Sequence, residues 1–318
     1  MPMKRDMASC TSECLEHEQR RCGVVILNYN GWQDTIACAE SVLAGDKTPS
    51  WVIIVDNAST DISVDQLRQW ITDKLKRSLP EGAAAPSDQL MLVRAQKNKG
   101  YAAGNNMGIR LLMSWGADAV WLLNSDTVVD GKALGAMMQR LFSKRRPGLC
   151  GARVQYMGTN RVQCRGGGRA SVWTALSTLD GYGFTPQRAL RENAEAIEAR
   201  INFIYGASVM ASRRFIETVG LMDERYFLYC EEQDWAYSAK GMFDLAYAAD
   251  AIVWHREGSS TGHSYRQVNV KALLLLIRSR VRLTLKHAPW ALPTVCLSIV
   301  FAAVRMGWRR LISKPVRF

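Results

Sequence analysis

The sequence of 318 residues lacks several features that would assign it quickly to a class of protein. Its eight cysteines are scattered, without Cys-x-x-Cys pairs or zinc-ligand spacing, which favours reduced thiols in a cytosolic protein. The first 21 residues contain no apolar segment of the signal-peptide kind, so we expect a disordered tail there. No apolar run reaches the ~20 residues that a membrane-spanning helix needs. These absences leave the motifs to indicate the function.

Acidic residues are missing from one long segment. The formal net charge is +12, and residues 265–318 contain eleven Lys or Arg but no Asp or Glu. Two apolar runs, 272–277 and 291–304, separate these charges, where a nucleic-acid groove would need polar and stacking groups. Basic residues beside apolar runs suit an anionic bilayer surface. We therefore expect no nucleic-acid partner and a helical C-terminal extension, 265–318, that binds the membrane surface, in preference to a buried core helix.

Four apolar runs end in polar residues, and a helical pattern follows each of them. The runs occupy residues 24–30, 51–57, 89–95 and 119–126. Strictly alternating strands and helices predict a parallel sheet with right-handed crossovers, so the fold class is α/β. The glycines at 100, 104 and 108 match neither Gly-x-Gly-x-x-Gly nor a Walker loop, which removes the best support for a dinucleotide-binding dehydrogenase.

Several of the polar residues at the strand ends are candidates for ligand binding. Asn124 and Asp126 stand two residues apart, so in an extended chain both would offer oxygens on one side to a hard cation. Asp56 follows the second run and is placed to accept the imide N–H of a uracil or thymine ring. Both motifs are equally compatible with ordinary turns or helix caps.

Three carboxylates occur within four residues at Glu231, Glu232 and Asp234. Acids are favoured in the first turn of a helix, which is one explanation for the cluster. Crowded carboxylates also raise one another's pKa, which suits a general base working near neutrality. His255 closes a short apolar run, where a single histidine by itself indicates a structural role.

The order of these motifs resembles family 2 glycosyltransferases, especially the bacterial rhamnosyltransferase-like branch. The first half carries VILNYN (25–30), VDNASTD (55–61), NKGYAAGN (98–105) and LLNSD (122–126). The second half carries YGASVM (205–210), VGLMDE (219–224), FLYCEEQDW (227–235), then His255 and GSS (258–260). The resemblance covers about residues 23–265.

The resemblance implies a GT-A fold over residues 22–264 and inverting transfer of a sugar from a nucleoside diphosphate donor. It implies that Glu232 is the base, with Asp234 as the main alternative and Glu231 orienting the acceptor. Asp126 and His255 would bind Mg²⁺ or Mn²⁺, although Asn124 stands where many relatives have an acid. The residues assigned to the nucleotide sugar are Asn28, Asn30, Asp56, Asn57, Ser59, Asn98, Lys99, Gly100, Asn105, Asn124, Ser125 and Arg256.

The function expected from this resemblance is transfer of rhamnose from dTDP-rhamnose to a lipid-linked or cell-surface glycan. The protein would act in the cytoplasm, peripherally at the inner face of the bacterial cytoplasmic membrane. The alternatives are the same fold with a UDP-hexose or UDP-N-acetylhexosamine donor, and a non-catalytic protein that binds nucleotide sugars or polyanions. Residues 181–199 are either a mobile lid or an insertion, and we expect Asp126 and Glu232 to face one cleft.

Overall fold

The computed structural model describes residues 20–78, 89–256 and 270–312. Most of the expected N-terminal tail and the GSS motif at 258–260 lie outside these residues. Arg20 and Arg21, the last two positions assigned to the tail, lie within them. The backbone N–H of Arg21 donates to Asp118 Oδ2 at 2.7 Å, so Arg21 is already bonded to the domain before the first strand begins.

The first half forms the expected parallel sheet. Strand β1 lies at its centre, with β2 on one side and β4 on the other, and β3 pairs with β2. In this register Asn28 lies beside Asp56, and Leu27 lies beside Asn124, so the polar strand ends share one edge. The four strands are β1 Cys22–Asn28, β2 Trp51–Asp56, β3 Leu90–Arg94 and β4 Ala119–Asn124.

Helices follow these strands as the alternating pattern predicts. Gly100 precedes the third helix with a φ of 96°, a conformation that glycine adopts without strain. Alternate strand residues face opposite sides of the sheet, so Val24 and Ile26 pack under one helical layer and Val25 under the other. The helices of this half are α1 Trp32–Leu43, α2 Ser63–Ser78, α3 Tyr101–Ser114 and α4 Ala133–Phe142.

The second half extends the sheet with antiparallel pairings. Strand β11 inserts antiparallel between β4 and β6, and β12 runs parallel to β6 and antiparallel to β5. The large sheet has the order β3-β2-β1-β4-β11-β6-β12-β5 with β7 on β6, and a small sheet has the order β10-β8-β9. These strands are β5 Thr127–Val129, β6 Pro147–Tyr156, β7 Val162–Arg165, β8 Gly167–Ala170, β9 Ser177–Leu179, β10 Phe203–Ile204, β11 Ser208–Ser212 and β12 Asp244–His255.

Residues 181–199 are fastened to the domain. The short helices α5 Pro186–Ala189 and α6 Ala194–Glu198 lie in this segment. Buried Arg165 contacts Asp180 at 2.7 Å and Glu192 at 2.8 Å, and a second arginine, Arg200, contacts the same two acids. A cavity of about 400 Å³ lies among these side chains. This network of ion pairs favours a fixed insertion over a mobile lid.

The C-terminal helices pack against the α/β domain. Ser279 Oγ donates to the carbonyl of Leu228 at 2.9 Å, and Leu283 packs with Tyr226 and Cys230. None of the helices in the described ranges is long and apolar enough to cross a membrane. The helices of this region are α7 Arg213–Val219, α8 Glu231–Ser238, α9 Val270–His287 and α10 Leu292–Ile312, with a 3₁₀ turn at Pro289–Ala291.

Candidate functional site

Asp126 and His255 meet at the edge of the sheet where β4 ends. The pairing of β12 with β5 sets His255 opposite Thr127, so the imidazole lies beside the preceding residue, Asp126. His255 Nε2 is 3.2 Å from Asp126 Oδ1, and the two residues are only 5% and 6% exposed. The structure thus brings together the two residues that the family resemblance assigns to the metal, although 128 positions separate them along the chain.

Gln163 orients the imidazole of His255. Its Oε1 is 2.8 Å from His255 Nδ1, and its Nε2 donates to the hydroxyl of Tyr205 at 2.9 Å. These contacts orient the ring so that Nε2 faces Asp126 Oδ1. The sequence analysis did not identify Gln163, because no local motif sets it apart from any other polar strand residue.

The Asp126–His255 pair has the donor chemistry of a cation site. A carboxylate oxygen and an imidazole nitrogen are both accepted ligands of Mn²⁺, and the carboxylate also suits Mg²⁺. The contact between His255 Nδ1 and Gln163 Oε1 is the kind of second contact that holds a metal-binding histidine in place. Within residues 20–78, 89–256 and 270–312, no group of three or more His, Cys, Asp or Glu could hold a metal. A cation here would therefore depend on other oxygen ligands, such as phosphates.

The acidic cluster begins helix α8 after two strained residues. Tyr229 and Cys230 have φ values of 73° and 68°, which non-glycine residues adopt only when the surrounding structure holds them. They place Glu231 and Glu232 in the first turn, where the helix dipole favours negative charge. Backbone strain of this kind is often found at functional sites.

Burial changes the acidity of both glutamates. Burial, and then the charge of Glu232, raise the pKa of Glu231 well above its ordinary value, and Glu231 Oε2 has no hydrogen-bond partner among the residues that the structure describes. Desolvation also raises the pKa of Glu232, while backbone hydrogen bonds from Glu232 itself and from Gly206 oppose that rise. A Cβ on Gly206 would lie 2.9 Å from Glu232 Oε1, so the missing side chain makes room for the carboxylate. Glu232 is partly exposed and Glu231 is buried.

The hydroxyl of Tyr101 responds to the charges of the acidic cluster and of Asp126. This hydroxyl donates to the carbonyl of Gly206 at 2.7 Å. Burial, followed by the charges of Glu232, Glu231 and Asp126, raises the pKa of Tyr101 well above its ordinary value. Gly206, which lies against Glu232, follows Tyr205 in the chain, and the ring of Tyr205 is 6.2 Å from the imidazole of His255, so the acidic cluster and the Asp126–His255 pair lie close to one another. Tyr101 itself was not predicted, although it lies within the NKGYAAGN motif.

Asp234 makes different contacts from its neighbours. Its Oδ2 accepts from Lys286 Nζ at 2.7 Å, and its Oδ1 lies 2.8 Å from His287 Nε2 and accepts from the hydroxyl of Tyr226. These partners neutralise the carboxylate and tie α8 to the C-terminal helix α9. These contacts occupy Asp234 and favour Glu232 of the two candidates for the base, and no sequence motif indicated the roles of Lys286 and His287.

Asp56 organises the ends of β1 and β2. It is fully buried, its Oδ1 accepts from Asn28 Nδ2 at 2.8 Å, and its Oδ2 accepts from the backbone N–H of Ser59 at 3.1 Å. Ser59 Oγ also accepts from the backbone N–H of Asn30 at 2.9 Å. This is the turn-forming arrangement that the sequence analysis kept as an alternative. A uracil or thymine ring would reach Asp56 only if these hydrogen bonds opened.

The loop before α3 brings together three other predicted residues. Asn57 Nδ2 donates to Asn98 Oδ1 at 3.1 Å and to the carbonyl of Gly100 at 3.2 Å. Asn105 Nδ2 donates to the carbonyl of Tyr101, while the Oδ1 atoms of Asn57 and Asn105 have no partner within the described residues. These buried acceptors lack partners and are available to a ligand or to water.

The remaining predicted residues occupy varied environments. Asn124 is half-buried at the end of β4, Ser125 is buried, and Lys99 is exposed. Arg256 is exposed, and its Nη1 donates to Asp34 Oδ1 at 2.7 Å, so its guanidinium is bound to α1 in this structure. A contact between Arg256 and a phosphate would compete with that ion pair.

Comparisons with known proteins agree with this architecture. The family model described as "Glycosyl transferase family 2" matches residues 23–203. The low-salt glycan biosynthesis hexosyltransferase Agl10 of Haloferax volcanii is 22% identical over 218 residues, which are 68% of this chain and 61% of that protein. The chain therefore spans less than two thirds of the length of this relative.

Two solved structures share the fold. Residues 1–349 of TarS from S. aureus superpose with a TM-score of 0.53 at 12% identity, covering 93% of this chain and 76% of that one. The mannosyltransferase PcManGT from Pyrobaculum calidifontis, solved in complex with GDP-Man and Mn²⁺, gives a TM-score of 0.53 at 15% identity, covering 94% and 83%. At these identities the likeness extends to the fold alone.

Proposed function

The chain belongs to glycosyl transferase family 2, and from this premise we propose that it is an inverting enzyme that transfers a sugar from a nucleoside diphosphate donor to a hydroxyl acceptor. The observation that carries the proposal is the position of Tyr205 and Gly206, which bring the Asp126–His255 pair close to Glu232. Asp126 and His255 are suited to a cation beside the charged leaving group, and Glu231 and Glu232 are suited to contact the acceptor.

Glu232 is the proposed general base. As the acceptor oxygen bonds to the anomeric carbon, Glu232 takes the hydroxyl proton, and the bond from that carbon to the diphosphate breaks, so the nucleoside diphosphate leaves with the electron pair. A raised pKa brings a carboxylate closer to the proton affinity that this step needs. Glu231 is buried next to it and is proposed to orient the acceptor.

Asp126 and His255 are the proposed ligands of Mg²⁺ or Mn²⁺. A bound cation would neutralise charge on the departing diphosphate. The donor set supports this role, and the related fold of PcManGT was solved with Mn²⁺ and GDP-Man. Asn57, after β2, and Asn105, on α3, are proposed to contact the nucleotide, since their side-chain oxygens can accept hydrogen bonds and have no partner within the described residues.

We further propose that the enzyme transfers rhamnose from dTDP-rhamnose. The proposed acceptor is a lipid-linked or cell-surface glycan, and the proposed location is the inner face of the bacterial cytoplasmic membrane. These proposals are supported by the motif resemblance and by the basic, apolar C-terminal segment. The same fold with a UDP-hexose or UDP-N-acetylhexosamine donor is the second candidate, since Agl10 is named a hexosyltransferase.

Two variants test the proposed chemistry. In Glu232→Gln the amide cannot take the proton, so we expect donor affinity to persist and turnover to fall by about a hundredfold or more. In Asp126→Asn we expect metal-dependent donor binding to weaken, because a carboxylate ligand is lost. A non-catalytic binding protein would keep its biological activity in Glu232→Gln, and that result would overturn the proposal.

A screen of nucleotide sugars identifies the donor. A ligand that binds only the native state raises the unfolding temperature, so each candidate is added with and without Mn²⁺ and the protein is melted. We expect dTDP-rhamnose to give the largest metal-dependent rise. A larger rise with a UDP-sugar would reassign the donor and leave the fold and chemistry unchanged.

A further inference from the structure

A loop of the α/β domain is joined to the C-terminal extension. This loop, residues 171–176, connects β8 to β9. Thr294 Oγ1 on helix α10 donates to the carbonyl of Trp173 at 2.6 Å, and Ser298 Oγ donates to the carbonyl of Thr174 at 2.9 Å. The other side of the loop packs on α9 near Leu283. The loop and the two helices therefore form one surface.

Large apolar side chains on this surface face solvent. Trp173 is 56% exposed, Leu297 is 68% exposed and Phe301 is 69% exposed. Positions 294, 297, 298 and 301 follow the i, i+3, i+4, i+7 spacing of one helical face, so Leu297 and Phe301 flank the bonds that hold the loop. We call Val172, Trp173, Leu297 and Phe301 the Trp173 face. Exposed apolar clusters of this kind mark interaction sites.

The C-terminal segment that holds the loop carries charges of one sign. No Asp or Glu occurs after residue 264, whereas eleven Lys or Arg do. Arg278 on α9 is exposed and forms no ion pair within the described parts of the chain. A second copy of this chain would bring like charges together, whereas an anionic lipid surface supplies opposite ones.

We propose that the Trp173 face docks on an anionic lipid bilayer, with Trp173, Leu297 and Phe301 inserted at the level of the headgroups. The loop, which belongs to the α/β domain, thereby fixes the distance of the active site from the bilayer. The inference rests on the proposed membrane location, and not on the transfer chemistry. Aromatic and aliphatic side chains beside Arg and Lys are the composition expected of a segment lying in the interface.

Vesicle binding by the full-length protein tests the proposal. The probe is a set of vesicles of phosphatidylcholine mixed with phosphatidylglycerol, compared with vesicles of phosphatidylcholine alone. We expect binding to the anionic vesicles that salt weakens, and an affinity about tenfold lower in Trp173→Ser and in Leu297→Ser, because each loses apolar area buried in the interface. Ile62→Ser, at a side chain 58% exposed on the α/β domain, is the matched control and should bind like the wild type.

Three results would overturn the proposal. They are equal binding by Trp173→Ser and the wild type, equal binding to neutral and anionic vesicles, and a wild-type dimer in solution that Leu297→Ser converts to monomer. Because the vesicles contain neither donor nor acceptor, failure here leaves the transfer reaction untouched. Donor-induced thermal stabilisation of each variant, measured in parallel, shows that the fold and the nucleotide site are intact.

Discussion

At the scale of single residues, the site concentrates carboxylates whose burial opposes their charge. Glu231 is buried at the start of α8 and lies next to Glu232 in the chain, and its Oε2 has no hydrogen-bond partner in the described parts of the chain. An ionised carboxylate is less stable in this buried position than in water, which is why the pKa of Glu231 is raised. The ionised form of Glu231 therefore lowers the stability of the fold.

Replacing Glu231 with glutamine should stabilise the protein in a pH-dependent way. Since the pKa of Glu231 is raised in the folded state, the favourable contribution of its protonated form is complete at pH values below about 4.3 and is lost as the pH rises through the folded-state pKa. Glu231→Gln should thus gain stability above that range, by about 1.4 kcal/mol for each unit of pKa elevation, and little in acid.

Urea unfolding at a series of pH values measures this effect. Glu217→Gln is the control, because Glu217 is an exposed partner of Arg213 on α7. A variant that is less stable than the wild type at every pH would contradict the inference that the buried, ionised carboxylate of Glu231 destabilises the fold.

The pH dependence of turnover reports on Glu232. The base must be ionised, so kcat/KM should rise with pH through a pKa above the ordinary glutamate value of about 4.3. Glu232→Asp should lower the rate but keep the fall of kcat/KM at low pH, whereas the residual activity of Glu232→Gln, lower by about a hundredfold or more, should lose that fall. An unchanged fall at low pH in Glu232→Gln would show that another group is the base.

Gly100 should be irreplaceable for steric reasons. Its φ is 96°, and a Cβ there would lie 2.1 Å from the carbonyl oxygen of Phe227. Gly100→Ala should therefore lose about 2 to 4 kcal/mol, whereas Gly158→Ala, with a φ of 72° and open space around it, should lose about 1 kcal/mol. Thermal unfolding of the two variants separates the clash from the backbone strain, and equal losses would show that the contact with Phe227 is not tight.

At the scale of secondary-structure elements, helix α9 holds α8 in position. Lys286 and His287 on α9 bind the carboxylate of Asp234, two residues after the proposed base. The contact joins the C-terminal extension to the acidic cluster, so the position of the catalytic carboxylates depends on a helix outside the α/β alternation.

Lys286→Met should weaken this contact. It leaves the buried Asp234 with less compensation for its charge, and we expect a loss of about 1 to 3 kcal/mol, measured by urea unfolding. Lys240→Met, at an exposed lysine without an ion pair in the described residues, should change stability by less than about 0.5 kcal/mol. In Asp234→Asn the same lysine change should have a much smaller effect, and additive losses would exclude the coupling.

At the scale of the whole molecule, two truncations test the proposed boundary at residue 265. Removing residues 288–318 deletes α10 but keeps the Lys286–Asp234 contact, so nucleotide binding should persist while vesicle binding is lost. Removing residues 265–318 also exposes Tyr226 and Cys230 and leaves Asp234 without Lys286 and His287. We therefore expect a large fall in unfolding temperature. Equal stability of the two truncated proteins would mean that α9 is dispensable for the fold.

The sequence by itself determined the α/β class, the parallel order of the first half and the family. These follow from local patterns, because apolar runs and helical periodicity depend on neighbouring residues, and the bounds of β1 to β4 agree with the predicted runs within about two residues. The expectation that Asp126 and Glu232 face one cleft came from the family resemblance, because Glu232 lies in the first turn of a helix and no local pattern places it beside β4.

Only the tertiary structure decided how each acidic side chain is used. Glu232 and Asp234 have the same charge and lie two residues apart, yet one faces Tyr101 and Gly206 while the other binds Lys286 and His287. Likewise, Asp56 is closed within a turn, and His255 reaches Asp126 through the pairing of β12 with β5. Burial and partners such as these depend on contacts between residues far apart in the chain, which local composition does not specify.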